Sequence, residues 1–249
     1  AVAGIDSACI GSGISGYGLM QAAGHAVVAR ALAAYPGAER FVVLAGPGNN
    51  GGDGYVAARL LAESGACVAV YCWQTSGPQT PDARRAAEEC PLPSLPTTAY
   101  APCPGDVVID ALFGAGLSRD IDDATGLLMA GVASAGLPVL AVDMPSGIDG
   151  RTGKILGHAF RAEITVTFMA LKPGQLLLPG RDHCGTIDIA EIGTPRRLVA
   201  AFESPTKING PDLWRRAMKP KSAGGHKYSH GALAVFSGGA NQTGAARLA

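Results

Sequence analysis

Residues 46–54 read GPGNNGGDG, and no other stretch limits the possible folds of this chain so strongly. The apolar, β-branched run Phe41–Ala45 leads into it, and Tyr55, Val56, Ala57, Ala58, Arg59, Leu60, Leu61 and Ala62 follow with helical character. This order predicts a strand, a glycine loop and a helix start, the layout that turns backbone N–H groups towards an anion. Glycine lets the backbone take positive φ and approach a ligand closely. Asp53 is the expected helix cap, its carboxylate accepting from first-turn N–H groups. Asn49 and Asn50 add amides that both donate and accept. The plainer reading is a tight turn without a ligand, but two asparagines and an aspartate among five glycines exceed what a turn needs.

Gly46, Gly48 and Gly51 fit the dinucleotide fingerprint G-x-G-x-x-G. Ordinary NAD binding also calls for an acid about 20 residues later, after the second strand. That strand is expected at Cys67–Trp73, and Gln74, Thr75 and Ser76 follow with no acid. An NAD-dependent dehydrogenase is therefore disfavoured.

The chain has 249 residues, of which 47% are apolar, enough for one large or two small domains. A net charge of zero gives no electrostatic footprint for nucleic acid or an anionic membrane. No apolar run approaches the ~20 residues that span a bilayer, and no signal-peptide pattern opens the chain. The start at Ala1, without an initiator methionine, suggests that an upstream piece is missing. Cys9, Cys67, Cys72, Cys90, Cys103 and Cys184 form no C-x-x-C pair and lie at no metal-ligand spacing from histidine. They suit a reducing, cytoplasmic location with no disulfide or zinc framework.

In order, helices are expected at 14–35, from Tyr55 to Gly65, at 81–90 after Thr80, and at 123–135. Further strands are expected at Val107–Phe113, Val139–Val142, Ile164–Met169 and Thr186–Ile192. Residues 91–105, rich in proline, read as a surface connection. Strands alternating with helices imply a mostly parallel sheet with helices on both faces, and such sheets bind ligands beyond the carboxyl ends of their strands.

Two acids stand out on that edge. Asp110 interrupts an apolar strand, where a carboxylate needs pairing or hydrogen bonds, and is a site candidate. Gly114 and Gly116 make a second glycine loop, closed by Ser118, Arg119 and Asp120. Asp143 ends the next strand, before the turn Pro145–Ser146–Gly147. Asp149 reads as a solvated turn residue, Lys172 and Arg181 as solvated surface charges, and His183 as an ordinary polar residue.

The loops GPGNNGGDG, GAGLSRD and DMPSG, taken with GLMQAAG (18–24), TFMALKPG (167–174) and PGRDHCG (179–185), resemble those of the NAD(P)H-hydrate epimerases. The resemblance covers about residues 5–200, with Gln21 where glutamate is expected and Ala115 where threonine is common. It implies a Rossmann-like three-layer α/β/α fold, a homodimer, and interconversion of the R and S forms of NADHX and NADPHX, which are hydrated at C6 of the nicotinamide ring. Carried over by motif, Asn49, Asn50, Gly51, Gly52 and Asp53 bind the hydrated dinucleotide. So do Gly114, Ala115, Gly116, Leu117, Ser118, Arg119, Asp120 and Asp143. Asn50, Asp110 and Ser146 would ligate one potassium ion, and their oxygen donors suit a hard cation. Inversion at C6 is possible if the bond to oxygen breaks and re-forms on the other face. A fixed carboxylate, here assigned to Asp110, would stabilise the ring cation and shuttle protons.

Beyond residue 205 the character changes. Residues 206–225 read as a linker, and 226–249 as a basic turn, a strand, a glycine loop and a helix start. This segment resembles the opening of the ribokinase-like, ADP- or ATP-dependent NAD(P)H-hydrate dehydratase domain of bifunctional enzymes. The chain is thus expected to be the N-terminal part of such an enzyme, without dehydratase activity of its own. A competing class is a non-catalytic scaffold, which would have no need of Asn50, Asp110 and Ser146 together.

Overall fold

The structure, a computed structural model, describes all residues except 1, 74–76, 203–205, 219–222, 227–230, 240–242 and 249. The chain divides into two compact units, Ala1–Glu203 and Ser204–Ala249.

The first unit is built on seven strands: β1 Arg40–Ala45, β2 Val68–Cys72, β3 Ser94–Pro96, β4 Asp106–Ala111, β5 Val139–Val142, β6 Ile164–Phe168 and β7 Thr186–Ala190. They pair in parallel in the order β3-β2-β1-β4-β5-β6-β7. The helices are α1 Val2–Gly11, α2 Gly16–Ala34, α3 Asn49–Glu63, α4 Pro81–Glu88, α5 Asp123–Ser134, α6 Gly180–His183 and α7 Arg196–Ala201. Parallel strands buried on both faces read as continuous apolar runs, as β1 and β4 do. In β1, Phe41, Val43 and Ala45 pack with α2, α3 and α4, while Val42 and Leu44 pack on the other face with Met129 and Val132 of α5. This is the expected three-layer α/β/α sandwich.

Several expectations shift. Ser15 caps α2, and Thr80 caps α4 with Pro81 in the first turn. The proline-rich stretch 91–105 is not all connection, because Ser94–Pro96 adds a parallel edge strand to β2. An edge tolerates proline because one side of the strand needs no ladder bonds. Helix α3 starts at Asn49 with Gly48 as its N-cap, so Asp53 lies inside the helix and does not cap it. The reason is steric: the helix begins early because glycines let it sit directly on its neighbours. A Cβ on Gly51 would lie 1.9 Å from the Gly46 carbonyl oxygen, and one on Gly54 would lie 2.6 Å from the Ala111 Cβ. None of the glycines at 46–54 has positive φ, so close approach is what they provide there.

In the second unit, α8 Pro211–Trp214 and α9 Gly244–Leu248 are described. The basic turn expected in this segment falls largely on 227–230, outside the described residues. The strand expected next does not form: residues 231–238 lie outside any helix or strand. Leu233 and Phe236 are 82% and 96% exposed, and a lone strand with neither ladder partner nor packed face has nothing to hold it. The helix start expected after the glycines is α9.

Candidate active site

The strand order places β1 beside β4, while the chain leaves β1 for β2 on the opposite side. The connections after β1 and β4 therefore diverge, and a crevice opens at their carboxyl ends, where such sheets bind ligands. Gly46 leaves β1 and Leu112 leaves β4, and the two backbones touch. A Cβ on Gly46 would meet the Leu112 carbonyl oxygen at 1.7 Å, and the Gly46 N–H donates to the Ala111 carbonyl at 3.0 Å. Immediately beyond, α3 presents its N-terminus, whose first N–H groups have no intrahelical acceptor.

Three loops meet at Gly114. The Asn50 Oδ1 and an Asp143 carboxylate oxygen each lie 3.1 Å from where a Gly114 Cβ would stand. A side chain there would push both away. The Asn50 Nδ2 is buried and has no hydrogen-bond partner, an unusual state for a buried amide.

Below this point lies Asp110, fully buried. Its Oδ1 accepts from the Ser146 hydroxyl at 2.6 Å and from the Leu112 N–H at 3.3 Å, and its Oδ2 accepts from the Ser146 N–H at 2.7 Å. Burial pushes the Asp110 carboxyl up to about 6 from an ordinary 3.8, and the bonds from Ser146 and Leu112 pull against that rise. Ser146 also accepts from the Phe113 N–H at 2.9 Å and lies 3.2 Å from the Phe113 carbonyl oxygen. The oxygens of a carboxylate and a carbonyl thus gather around the Ser146 hydroxyl. Asp110 is covered by Ser146 and does not itself open onto the crevice.

The carboxylate that does is Asp143, whose side chain is 17% exposed. Its backbone is left-handed, φ 66°, a region that non-glycine residues seldom occupy. One of its oxygens accepts from the Ala115 N–H at 3.1 Å. The other accepts from Lys172 Nζ and from the Thr167 hydroxyl, the latter at 3.3 Å. This corrects the reading of Lys172 as a solvated charge: the side chain is 3% exposed, and its ammonium also donates to Thr167 Oγ1 at 2.7 Å and to the Phe168 carbonyl at 3.2 Å. Its partner acid lies 29 residues away in sequence, so local spacing could not show the pair. The one available signal was the lysine's place beside Pro173 and Gly174, just after a buried strand.

The remaining candidates spread outward. Gly51 and Gly52 are buried, Gly51 against the Gly46 backbone and Gly52 against Met20 and Ala83. Asp53 lies in the following turn of α3. Asn49, at the rim, accepts from the Thr80 hydroxyl at 2.6 Å. Leu117 closes a turn by donating to the Gly114 carbonyl at 3.2 Å, and Gly116, Ser118, Arg119 and Asp120 are exposed. The Arg119 guanidinium stands 5.1 Å from the Trp73 ring centre, and Trp73 packs edge-on against Phe113. Gln21 lies outside this set, bonded to Tyr17 and Arg59. Asp149 accepts from its own turn at Arg151 and Thr152, as expected. Among the described residues no three His, Cys, Asp or Glu side chains gather into a metal site.

The fold is that of a doubly wound α/β protein, and its topological switch point is the candidate ligand site. Residues 16–174 match the family described as YjeF-related protein N-terminus. The NAD(P)H-hydrate epimerase of Limosilactobacillus fermentum is 37% identical over 72% of this chain and 87% of its own length. That of Rhodobacter capsulatus is 39% identical over 70% and 88%. The chain belongs to this YjeF-related family, that of the NAD(P)H-hydrate epimerases. The bifunctional NAD(P)H-hydrate repair enzyme Nnr of Coxiella burnetii is 36% identical over 98% of this chain, which spans 51% of that protein, about half. The crystal structure of yeast YNL200c aligns with a TM-score of 0.67 at 22% identity, covering 85% of this chain and 95% of the yeast chain, a likeness of fold.

Proposed function

We propose that this chain interconverts the R and S forms of NADHX and NADPHX. The observation that carries the reading is the meeting of three loops at Gly114, with the α3 N-terminus on one side and two fixed carboxylates on the other. The helix N-terminus suits the pyrophosphate of a dinucleotide. Breaking the C6–oxygen bond leaves positive charge on the nicotinamide ring. In its protonated form Asp143 would donate to the departing hydroxyl, which leaves as water; the carboxylate so formed would stabilise the ring cation and take a proton back from the water that adds again at C6. Asp110 contributes negative charge from beneath Ser146. Turnover of R-NADPHX by the purified protein, measured against the spontaneous rate, tests this. A rate no faster than spontaneous would favour a non-catalytic scaffold.

Potassium is proposed as the bound ion, held by Asn50, Asp110 and Ser146. The donor set fits: hard oxygens gather around Ser146, and turning the unpartnered Asn50 amide over would offer one more. A bound monovalent cation would supply positive charge that neutralises the buried carboxylate and ties the loops together.

The alignment with bifunctional repair enzymes runs through the second unit as well. This favours the chain being the epimerase part of such an enzyme, with 226–249 as the opening of its ADP- or ATP-dependent dehydratase domain. A cytoplasmic homodimer is part of the proposal. No helix among the described residues is long and apolar enough to cross a membrane.

A further inference from the structure

We propose that Lys172 is a positioning residue for this reaction, holding Asp143 so that one carboxylate oxygen is fixed towards the crevice. The inference rests on the epimerase reading and adds a residue to it.

An ammonium has three N–H donors and no acceptor. Those of Lys172 meet three acceptors: the Asp143 carboxylate, Thr167 Oγ1 and the Phe168 carbonyl. No donor remains for a substrate, and the side chain is almost wholly buried. Lys172 therefore acts through Asp143. Thr167 reinforces the arrangement, because its hydroxyl accepts from Lys172 and donates a hydrogen bond to the same Asp143 oxygen. With that oxygen occupied from behind, the other is left with the Ala115 N–H and the space beside Gly114.

The backbone of Asp143 is gripped as well. Its N–H donates to the Val166 carbonyl at 2.8 Å, and its carbonyl accepts from Gln175 Nε2 at 2.9 Å. Gln175 is fully buried, and its Oε1 receives the Lys172 N–H at 2.8 Å. One short turn, Pro173–Gln175 with Lys172 at its head, thus holds Asp143 at both carboxylate and carbonyl. A left-handed aspartate persists where its surroundings over-determine it, and here these two side chains do so.

A pillar that merely closed the 169–175 loop would leave turnover per folded molecule unchanged. The test uses the full chain as Lys172→Met, Asp143→Asn and the double variant, with kcat and KM for R-NADPHX and a thermal melt for each. Lys172→Met is expected to lower kcat at least ~10-fold with KM changed less than ~3-fold, the split of an interaction that matters in the transition state. In the Asp143→Asn background the same change is expected to alter kcat less than ~2-fold, because the carboxylate that Lys172 positions is no longer charged. If Lys172→Met does not fold, Lys172→Gln takes its place, keeping a donor without the charge. Retention of more than about a tenth of wild-type kcat, or equal losses in both backgrounds, overturns the inference while the epimerase reading stands. A wild-type protein without turnover overturns both.

Discussion

At the residue scale the decisive feature is a buried carboxylate that stays in place through its hydrogen bonds. Asp110→Asn is expected to fold: its amide oxygen can face the Ser146 N–H, its amide nitrogen can donate to Ser146 Oγ, and the weak bond from Leu112 is lost. The negative charge goes, and turnover is expected to fall on the order of 100-fold at saturating potassium, as when a preorganised charge is removed from a dry site. A purely structural role would instead lower the melting temperature and leave turnover per folded molecule intact. A second expectation concerns pH. The Asp110 carboxyl lies near 6 in the fold against an ordinary 3.8. Its contribution to stability is therefore whole below pH ~4 and is lost as pH rises through ~6, where the buried group must ionise. A cation on the ionised carboxylate would offset that loss. Replacing choline chloride with potassium chloride at equal ionic strength should raise the melting temperature at pH 7.5 and leave it unchanged at pH 4.5. An equal shift at both would show that potassium acts elsewhere.

At the element scale the position of α3 is set by close packing at its glycines. The sequence around residue 50 reads as a glycine loop with the helix following from Tyr55, whereas α3 already begins at Asn49. What decides is packing against Gly46 and against Met20, Ala83 and Ala111, the last three distant in sequence. Gly54→Ala is expected to destabilise the fold by about 1–3 kcal/mol, since the added methyl would stand against the Ala111 Cβ. Gly48→Ala meets nothing within 4 Å and should change stability by less than ~1 kcal/mol. Paired denaturant melts check this, and equal effects would mean that the α3–β4 contact is loose. The same limit explains the other misreadings. Thr80 and Pro81 announce α4 by themselves, whereas Lys172 and the three-residue β3 take their meaning from partners distant in the chain. Asp110 and Asp143 were legible because an acid inside or ending an apolar strand is anomalous wherever it occurs. Which of the two faces the crevice was not, since that depends on Ser146 folding back over Asp110.

At the scale of the whole molecule, strand order makes the site. Loops 46–48, 112–118 and 143–147 are far apart in sequence and meet because β1, β4 and β5 are neighbours in the sheet. Every group in this argument, from Asn50 to Gln175, lies in the first compact unit, Ala1–Glu203. In the second unit the large apolar side chains that are described stand in solvent: Leu213 is 56% exposed, Met218 64% and Leu248 91%. They bury little apolar surface, and burial is what would make the segment matter to stability. Ending the chain at residue 205 is therefore expected to leave a cooperative melt within about 2 °C of the full chain. Turnover of R-NADPHX is expected to be unchanged and solubility improved, because exposed apolar side chains are removed. The measurements are a thermal melt, an initial rate and the concentration at which each protein precipitates. If the shortened chain lacks a cooperative melt, residues after 205 belong to the core of the first unit. If it melts normally but loses turnover, the second unit contributes to the site, and the assignment of the whole reaction to the β1–β4–β5 crevice is wrong.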